Sequence, residues 1–145
     1  MIISRNISDL IPEVGMLCDK HVALCAHAGI TLLVYCTYRD WDAQTALYKQ
    51  GRTTLGRIVT NAKAGDSAHQ YRRAYDCVPL SFGKPVWSQT TKIGVNLWEN
   101  VGMLGESVGL EWAGRWKHFR EEPHFQFLGG KTIAQYRDEY VNTHI

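Results

Sequence analysis

The chain has 145 residues, of which 45% are hydrophobic and 21% are charged, as is usual for a folded globular protein. This length suits one domain over residues 1–145, since domains most often contain about 100–150 residues. Sixteen Lys and Arg residues against 14 Asp and Glu residues leave a net charge of +2, which argues against a dedicated nucleic-acid-binding protein. No apolar run approaches the ~18 residues of a membrane span. We therefore expect that the protein neither binds nucleic acid nor inserts into a membrane.

Helical and strand-like patterns follow one another without a regular strand–helix–strand repeat. The predicted helices cover residues 8–28, 41–50, 90–108 and 132–140. The predicted strands cover residues 31–38, 74–80 and 124–127. Ser8 and Asp40 are the predicted N-caps of the first two helices. Residues 51–66 are rich in Gly, show little periodicity and form a predicted long loop. Together these patterns favour an α+β fold with a small, mainly antiparallel sheet flanked by helices.

The four cysteines are expected to be reduced thiols. The first residues show no secretory signal, and the sequence contains no Cys-x-x-Cys pair that would indicate a structural zinc site. Small buried hydrophobic side chains are the more common role of such cysteines. The residues concerned are Cys18, Cys25, Cys36 and Cys77.

Three polar stretches contain the residue types that catalysis requires. They are residues 38–40 at the end of the first predicted strand, residues 67–76 before the second, and residues 121–126 at the start of the third. The last two hold two His and several carboxylates, and two His with one carboxylate and an open fourth position form a known catalytic zinc site. A single His seven residues before an Asp is by itself a weak signal, so the spacing alone leaves a structural role open.

Strand geometry indicates which side chains at the third stretch face a cleft. His124 and Gln126 share one face of the predicted strand, whereas Phe125 lies on the other face and suits the core. Glu121 precedes His124 by three residues, which allows it to reach a metal-bound water without binding the metal. Glu122 comes next to Pro and is expected to point away from the site.

Several motifs occur in the order that is typical of a known enzyme family. Ser67, His69, Ala74 and Asp76 fit Ser-x-His-x-x-Gly-x-Ala-x-Asp, and Glu121, Pro123, His124, Phe125 and Gln126 fit an acidic residue followed by Pro-His-Phe-Gln. Shorter similar stretches are residues 38–39, 44, 47–48, 50–53, 59–63 and 109–112. From about residue 30 to 127 the chain thus resembles the zinc L-alanyl-D-glutamate peptidases of phage lysis, which are relatives of VanY-type D-alanyl-D-alanine carboxypeptidases.

The resemblance implies a hedgehog/DD-peptidase-like zinc peptidase fold and a set of site residues. His69, Asp76 and His124 would bind Zn²⁺, with water as the fourth ligand. Glu121 would act first as general base and then as general acid.

Three further positions are less strongly specified. Arg39 is expected either to polarise the scissile carbonyl or to be a structural ion-pair partner. Ser67 is expected to hydrogen-bond a ligand or the substrate. Arg72 stands where the family has Gly, so this turn must either place Arg72 in an unfavourable conformation or differ from the family's.

The function that the resemblance implies is that of a phage endolysin cleaving the L-Ala–D-Glu bond in the peptide stem of bacterial peptidoglycan. Such an enzyme would act as a monomer and wait in the host cytoplasm until a holin opens the membrane, then reach the periplasm and the cell wall. Two alternatives are a D-Ala-D-Ala carboxypeptidase of the same fold and a non-catalytic zinc-bearing module that binds the wall.

Overall fold

The computed structural model describes residues 1–144 and confirms the α+β class. The helices are α1 (Pro12–His27), α2 (Trp41–Lys49), α3 (Lys92–Ser107) and α4 (Ile133–His144). The strands are β1 (Thr31–Cys36), β2 (Ala74–Ser81), β3 (Lys84–Pro85), β4 (Glu111–Trp112) and β5 (His124–Gln126). Short 3₁₀ turns cover Ile7–Asp9, Ala68–Tyr71 and Ala113–Arg115. None of the helices in this part of the chain is long and apolar enough to cross a membrane.

The strands form one antiparallel sheet in the order β1-β2-β5-β4, and β3 pairs with the end of β2. In the β2–β5 pair, Tyr75 lies opposite Phe125 and Asp76 lies opposite His124. Successive side chains of a strand point to opposite faces. The register therefore puts an aromatic pair on one face of the sheet and a polar pair on the other.

Helices α1 and α3 pack against the aromatic face. Tyr75 and Phe125 are fully buried there, with their ring centroids 5.9 Å apart. Helix α3 comes close to the sheet at two glycines, because a Cβ on Gly102 would lie 2.3 Å from Trp112 and one on Gly105 would lie 2.5 Å from Phe125. The core consists of Leu10, Val14, Cys18, Cys25, Ile30, Leu32, Tyr75, Cys77, Val101, Leu110, Trp112 and Phe125.

A histidine completes this core. His21 of α1 is fully buried, with Nδ1 2.7 Å from the Tyr75 hydroxyl and Nε2 2.8 Å from the carbonyl oxygen of Val101. A carbonyl oxygen only accepts, so Nε2 carries the proton and Nδ1 accepts from Tyr75. Burial lowers the pKa of His21, and the ring is therefore a neutral part of the core.

Two predicted boundaries are wrong for local reasons. Helix α1 begins at Pro12 rather than at residue 8, because proline suits the first helical position; Ser8 lies instead in a separate 3₁₀ turn. Strand β1 ends at Cys36 rather than at residue 38, after a register shift against β2. By contrast, Asp40 caps α2 as predicted and accepts a hydrogen bond from the backbone N–H of Ala43 at 2.8 Å.

The expectation of unpaired thiols is confirmed within residues 1–144. All four cysteines are free and buried. Burial is the main cause that raises the pKa of Cys18 to about 12 and that of Cys25 to about 11. These thiols therefore stay uncharged and behave as small core side chains.

Candidate metal centre and cleft

The three predicted metal ligands lie together on the polar face of the sheet. His69 belongs to the 3₁₀ turn that precedes β2, and Asp76 and His124 are partners across β2 and β5. His69 Nε2 and His124 Nδ1 each lie 3.3 Å from the same atom, Asp76 Oδ1. Both histidines are buried, and their ring centroids are 5.0 Å apart.

Each imidazole is held by an acceptor at its other nitrogen. His69 Nδ1 lies 2.6 Å from the carbonyl oxygen of Thr37, and His124 Nε2 lies 2.8 Å from Gln126 Oε1. Because these oxygens accept, the nitrogens beside them carry the protons of the neutral rings. The lone pairs of His69 Nε2 and His124 Nδ1 then face the carboxylate of Asp76. Two imidazole lone pairs and one carboxylate, each imidazole oriented by an outer acceptor, fit the ligand set of a catalytic zinc ion.

The charges of these three groups depend on one another. Burial would raise the pKa of Asp76, but the positive charge of a protonated His69, and the hydrogen bonds that His124 and His69 donate when they are protonated, hold it well below its ordinary range. Burial lowers the pKa of His69. Burial also acts against protonation of His124, yet its hydrogen bond with Asp76 and the charge of that carboxylate raise its pKa. Asp76 is therefore ionised, and His124 holds a proton more readily than His69.

Cys36 lies near the same centre, although no sequence signal pointed to it as a ligand. Its Sγ is 4.0 Å from His69 Nδ1, and by distance alone Cys36, His69 and Asp76 form a group of ligand atoms within 4.8 Å of one another. However, Nδ1 is the nitrogen that donates to Thr37, and burial raises the pKa of the Cys36 thiol to about 11. The orientation of the lone pairs therefore favours the group that contains His124 over the group that contains Cys36.

The predicted general base lies beside this group. Glu121 Oε2 is 3.8 Å from His124 Nδ1, and its side chain is 27% exposed. Burial raises the pKa of Glu121, which brings it towards the range in which a carboxylate is an effective base near neutral pH. Contrary to expectation, Glu122 is among the residues that line the cleft. Its carboxylate pairs with Arg120 at 2.7 Å, and its carbonyl oxygen accepts from the indole N–H of Trp112 at 2.8 Å.

Arg39 lines the cleft next to the predicted base. Its Nε is buried and has no hydrogen-bond partner among residues 1–144. The ion pairs of this part of the chain all involve other residues, which disfavours the structural ion-pair alternative. The positive charge of Arg39 lowers the pKa of Glu121 and so partly offsets the increase that burial causes. Arg39 therefore lies in the cleft wall, and its guanidinium makes no ion pair among the described residues.

Ser67 has a local structural role that the sequence did not indicate. Its Oγ accepts a hydrogen bond from the backbone N–H of His69 at 3.3 Å and so caps the 3₁₀ turn. Ser67 also lines the cleft. A contact with ligand or substrate stays a prediction.

Arg72 adopts the conformation that a glycine in the family motif would favour. Its φ of 60° and ψ of 31° lie in the left-handed region, and they allow the chain to turn back from His69 to Asp76. The guanidinium lies 3.9 Å from the ring centroid of Tyr38, and Nη1 donates to the carbonyl oxygen of Asp9 at 2.9 Å. The unfavourable backbone geometry is thus offset by contacts that glycine lacks.

A cleft of about 870 Å³ runs past these residues. Part of its lining comes from the loop of residues 51–66, which Gln44 holds by donating to the carbonyl oxygen of Ala62 at 2.8 Å. Residues 116–124 contribute another part of the lining. The lining also includes the basic residues Arg57, His118 and Arg120, together with the carboxylates of Asp66, Glu121 and Glu122.

Sequence reasoning missed Thr37 and Glu111. The Thr37 contact uses a backbone carbonyl, for which residue identity is no signal. Glu111 lies in the similar stretch 109–112, but nothing in the sequence indicated that its carboxylate would contact Gln126 and Trp116.

Comparisons with known proteins identify the family of the chain. A family model described as D-alanyl-D-alanine carboxypeptidase, of the M15 peptidases, matches residues 60–127. The peptidoglycan L-alanyl-D-glutamate endopeptidase CwlK of Bacillus subtilis (strain 168) is 35% identical over 125 residues, which cover 83% of this chain and 75% of that protein.

Two solved structures share the fold. The L-Ala D-Glu endopeptidase ChiX of Serratia marcescens superposes with a TM-score of 0.63 at 19% identity, covering 91% of this chain and 87% of that one. A mutant of the vancomycin-resistance D,D-pentapeptidase VanY from a VanB-type cassette, in complex with Zn(II), superposes with a TM-score of 0.59 at 14% identity, covering 98% and 90%. The family resemblance of the motifs is thereby confirmed, and the chain belongs to the M15 family of zinc metallopeptidases that act on peptidoglycan.

Proposed function

We propose that this protein hydrolyses the amide bond between L-Ala and D-Glu in the peptide stem of peptidoglycan. The observation that carries the proposal is the convergence of His69, Asp76 and His124 beside Glu121, on the wall of an open cleft. A zinc-bearing module that only binds the wall would have no use for a partly buried carboxylate in this place.

The residues divide the chemistry among them. His69 Nε2, His124 Nδ1 and the Asp76 carboxylate would hold a zinc ion, which would supply Lewis acidity and lower the pKa of the attacking water to about 7. Glu121 takes a proton from the attacking water and passes it to the leaving amine. Arg39, which lines the cleft, donates from its guanidinium to the carbonyl oxygen of the scissile bond, where negative charge develops.

The cleft suits an acidic peptide that extends beyond one bond. Its volume of about 870 Å³ has room for more than a dipeptide, and Arg57 and His118 offer donors to the carboxylate of D-Glu. Ser67, on the same lining, orients the substrate backbone.

The choice of bond is supported by the relative at 35% identity, whose name gives an L-alanyl-D-glutamate endopeptidase. The second candidate is a D-Ala-D-Ala carboxypeptidase, which the description of the family model favours. Mass spectrometry of purified muropeptides after digestion separates the two. Products split between L-Ala and D-Glu support the proposal, whereas loss of a single terminal D-Ala would replace it with the second candidate.

The general-base step is tested with Glu121→Gln, which keeps the size of the side chain and removes the base. Zinc should stay near one per chain, and turnover of peptidoglycan should fall by about 10²–10⁴-fold. Glu106→Gln is the matched control, because Glu106 pairs with Arg115 on the exposed surface. Full turnover by Glu121→Gln would refute the mechanism. A wild type that binds muropeptides without cleaving them would support the wall-binding alternative.

We further propose that the protein is the endolysin of a phage and acts as a monomer. It would stay in the host cytoplasm until a holin opens the membrane, and then cleave the wall from the periplasm. The similarity of its motifs to those of phage lysis enzymes supports this role. Expression in a Gram-negative host should cause lysis only when a holin is co-expressed; lysis without the holin would contradict the proposal.

A further inference from the structure

Glu111 links two residues that surround His124. Its Oε1 accepts from Gln126 Nε2 at 3.4 Å, and its Oε2 accepts from the indole N–H of Trp116 at 2.8 Å. Gln126 Oε1 in turn lies 2.8 Å from His124 Nε2. Glu111 and Gln126 are also partners in the β4–β5 ladder, so the backbone holds the two side chains next to each other.

The carboxylate decides which end of the Gln126 amide faces His124. An amide group has one accepting and one donating end, whereas an ionised carboxylate only accepts. Glu111 therefore attracts the NH₂ end of Gln126 and leaves the oxygen towards His124 Nε2. With the oxygen in that place, His124 carries its proton on Nε2 and keeps the Nδ1 lone pair towards Asp76. A flipped amide would donate to Nε2 and favour the proton on Nδ1, where it blocks a metal.

We propose that Glu111 is a positioning residue for zinc binding: through Gln126 it fixes the tautomer of His124, and through Trp116 it holds an aromatic ring beside His124. The Trp116 and His124 ring centroids are 5.5 Å apart, and Trp116 lines the cleft. The inference rests on the proposed function, since it requires His124 to be a zinc ligand. Glu111 acts through its neighbours and has no direct part in the reaction.

The first test measures the zinc dissociation constant by competition with a chelator. Partners of metal-binding histidines are typically worth about 10–100-fold in metal affinity, and Glu111 is one step further out, so Glu111→Ala should weaken zinc binding by about 10-fold. Glu106→Ala is the matched control, because it removes a carboxylate paired with Arg115 and should leave zinc affinity unchanged. Glu111 is exposed, so the variant should fold, and thermal unfolding checks this.

The second test distinguishes orientation from general support. Gln126→Glu puts a carboxylate beside His124. A carboxylate only accepts hydrogen bonds, so it needs no partner to orient it, and the negative charge of Glu111 repels it. In the Gln126→Glu background, Glu111→Ala should therefore leave zinc affinity unchanged or increase it. A residue that merely stabilises the strand would lower zinc affinity in both backgrounds, and that result would overturn the proposal.

If His124→Ala keeps full zinc, the proposed ligand set is wrong. If His124→Ala loses zinc while Glu111→Ala binds it like the wild type, the ligand set stands and only the role of Glu111 is refuted.

Discussion

Replacing Arg72 with Gly or with Ala separates the cost of its backbone conformation from the value of its contacts. The left-handed conformation, with φ of 60°, costs a residue other than Gly about 1–2 kcal/mol. The guanidinium at 3.9 Å from the Tyr38 ring contributes about 0.5–1 kcal/mol. Its hydrogen bond to the carbonyl oxygen of Asp9 at 2.9 Å contributes about 1 kcal/mol. The exposed contact with the Asp9 carboxylate at 3.9 Å adds little.

These contributions predict an order of stability. Arg72→Ala keeps the strain and loses both contacts, so the free energy of unfolding should fall by about 1.5–2 kcal/mol. Arg72→Gly loses the same contacts and about 0.5–1 kcal/mol through the greater freedom of the unfolded chain, but it removes the strain. Its net loss should be about 1 kcal/mol, which places it between the wild type and Arg72→Ala.

The assay is urea unfolding in the presence of a chelator, so that bound zinc does not contribute to the measured stability. In a Tyr38→Leu background, the loss caused by Arg72→Ala should shrink by the contribution of the aromatic contact. An Arg72→Gly variant more stable than the wild type would show that the contacts contribute less than the backbone strain costs. An Arg72→Ala variant at least as stable as Arg72→Gly would refute the assignment of backbone strain.

Three further predictions concern the metal, the buried histidine and the thiols. The purified protein should hold about one zinc per chain, and His69→Ala and His124→Ala should each lose most of it; full zinc content in both would refute the ligand assignment. Burial lowers the pKa of His21, so below about pH 6.5 the unfolded chain takes up a proton that the folded chain resists. The unfolding free energy of the metal-free protein should therefore fall more steeply from pH 7 to 5 than that of His21→Gln, by up to about 1.4 kcal/mol per pH unit. Parallel curves would contradict this. Excess reductant should change neither stability nor activity, and a clear loss would indicate a disulfide among Cys18, Cys25, Cys36 and Cys77.

Local patterns were sufficient where one segment determines its own structure. Asp40 before a helical stretch predicts a cap, and the structure has that cap. Alternation around Phe125 predicts a strand with one core face, and Phe125 is fully buried. For His69 and Asp76 the spacing alone was a weak signal; the family resemblance of the motif implied that they lie close together, and His69 Nε2 is 3.3 Å from Asp76 Oδ1.

Features that depend on another segment were not predictable. The early end of β1 reflects the pairing of Thr37 with Ser4, whose carbonyl accepts from the Thr37 N–H at 2.8 Å. The contact between Glu111 and Gln126 depends on how two short strands align, and no local pattern encodes that register. The place of Cys36 near the centre follows from β1 lying beside β2, whereas the cysteine alone indicates only a small apolar side chain.

The direct pairing of Asp76 with His124 across two antiparallel strands has a consequence for how such enzymes diversify. Two of the three proposed ligands are held by the backbone hydrogen bonds of a sheet, while much of the cleft lining comes from the loop of residues 51–66 and from residues 116–124. Insertions or substitutions in those segments can reshape the substrate channel without altering the distance between the ligands. A reaction centre built in this way can acquire new bond preferences through changes in its surroundings alone.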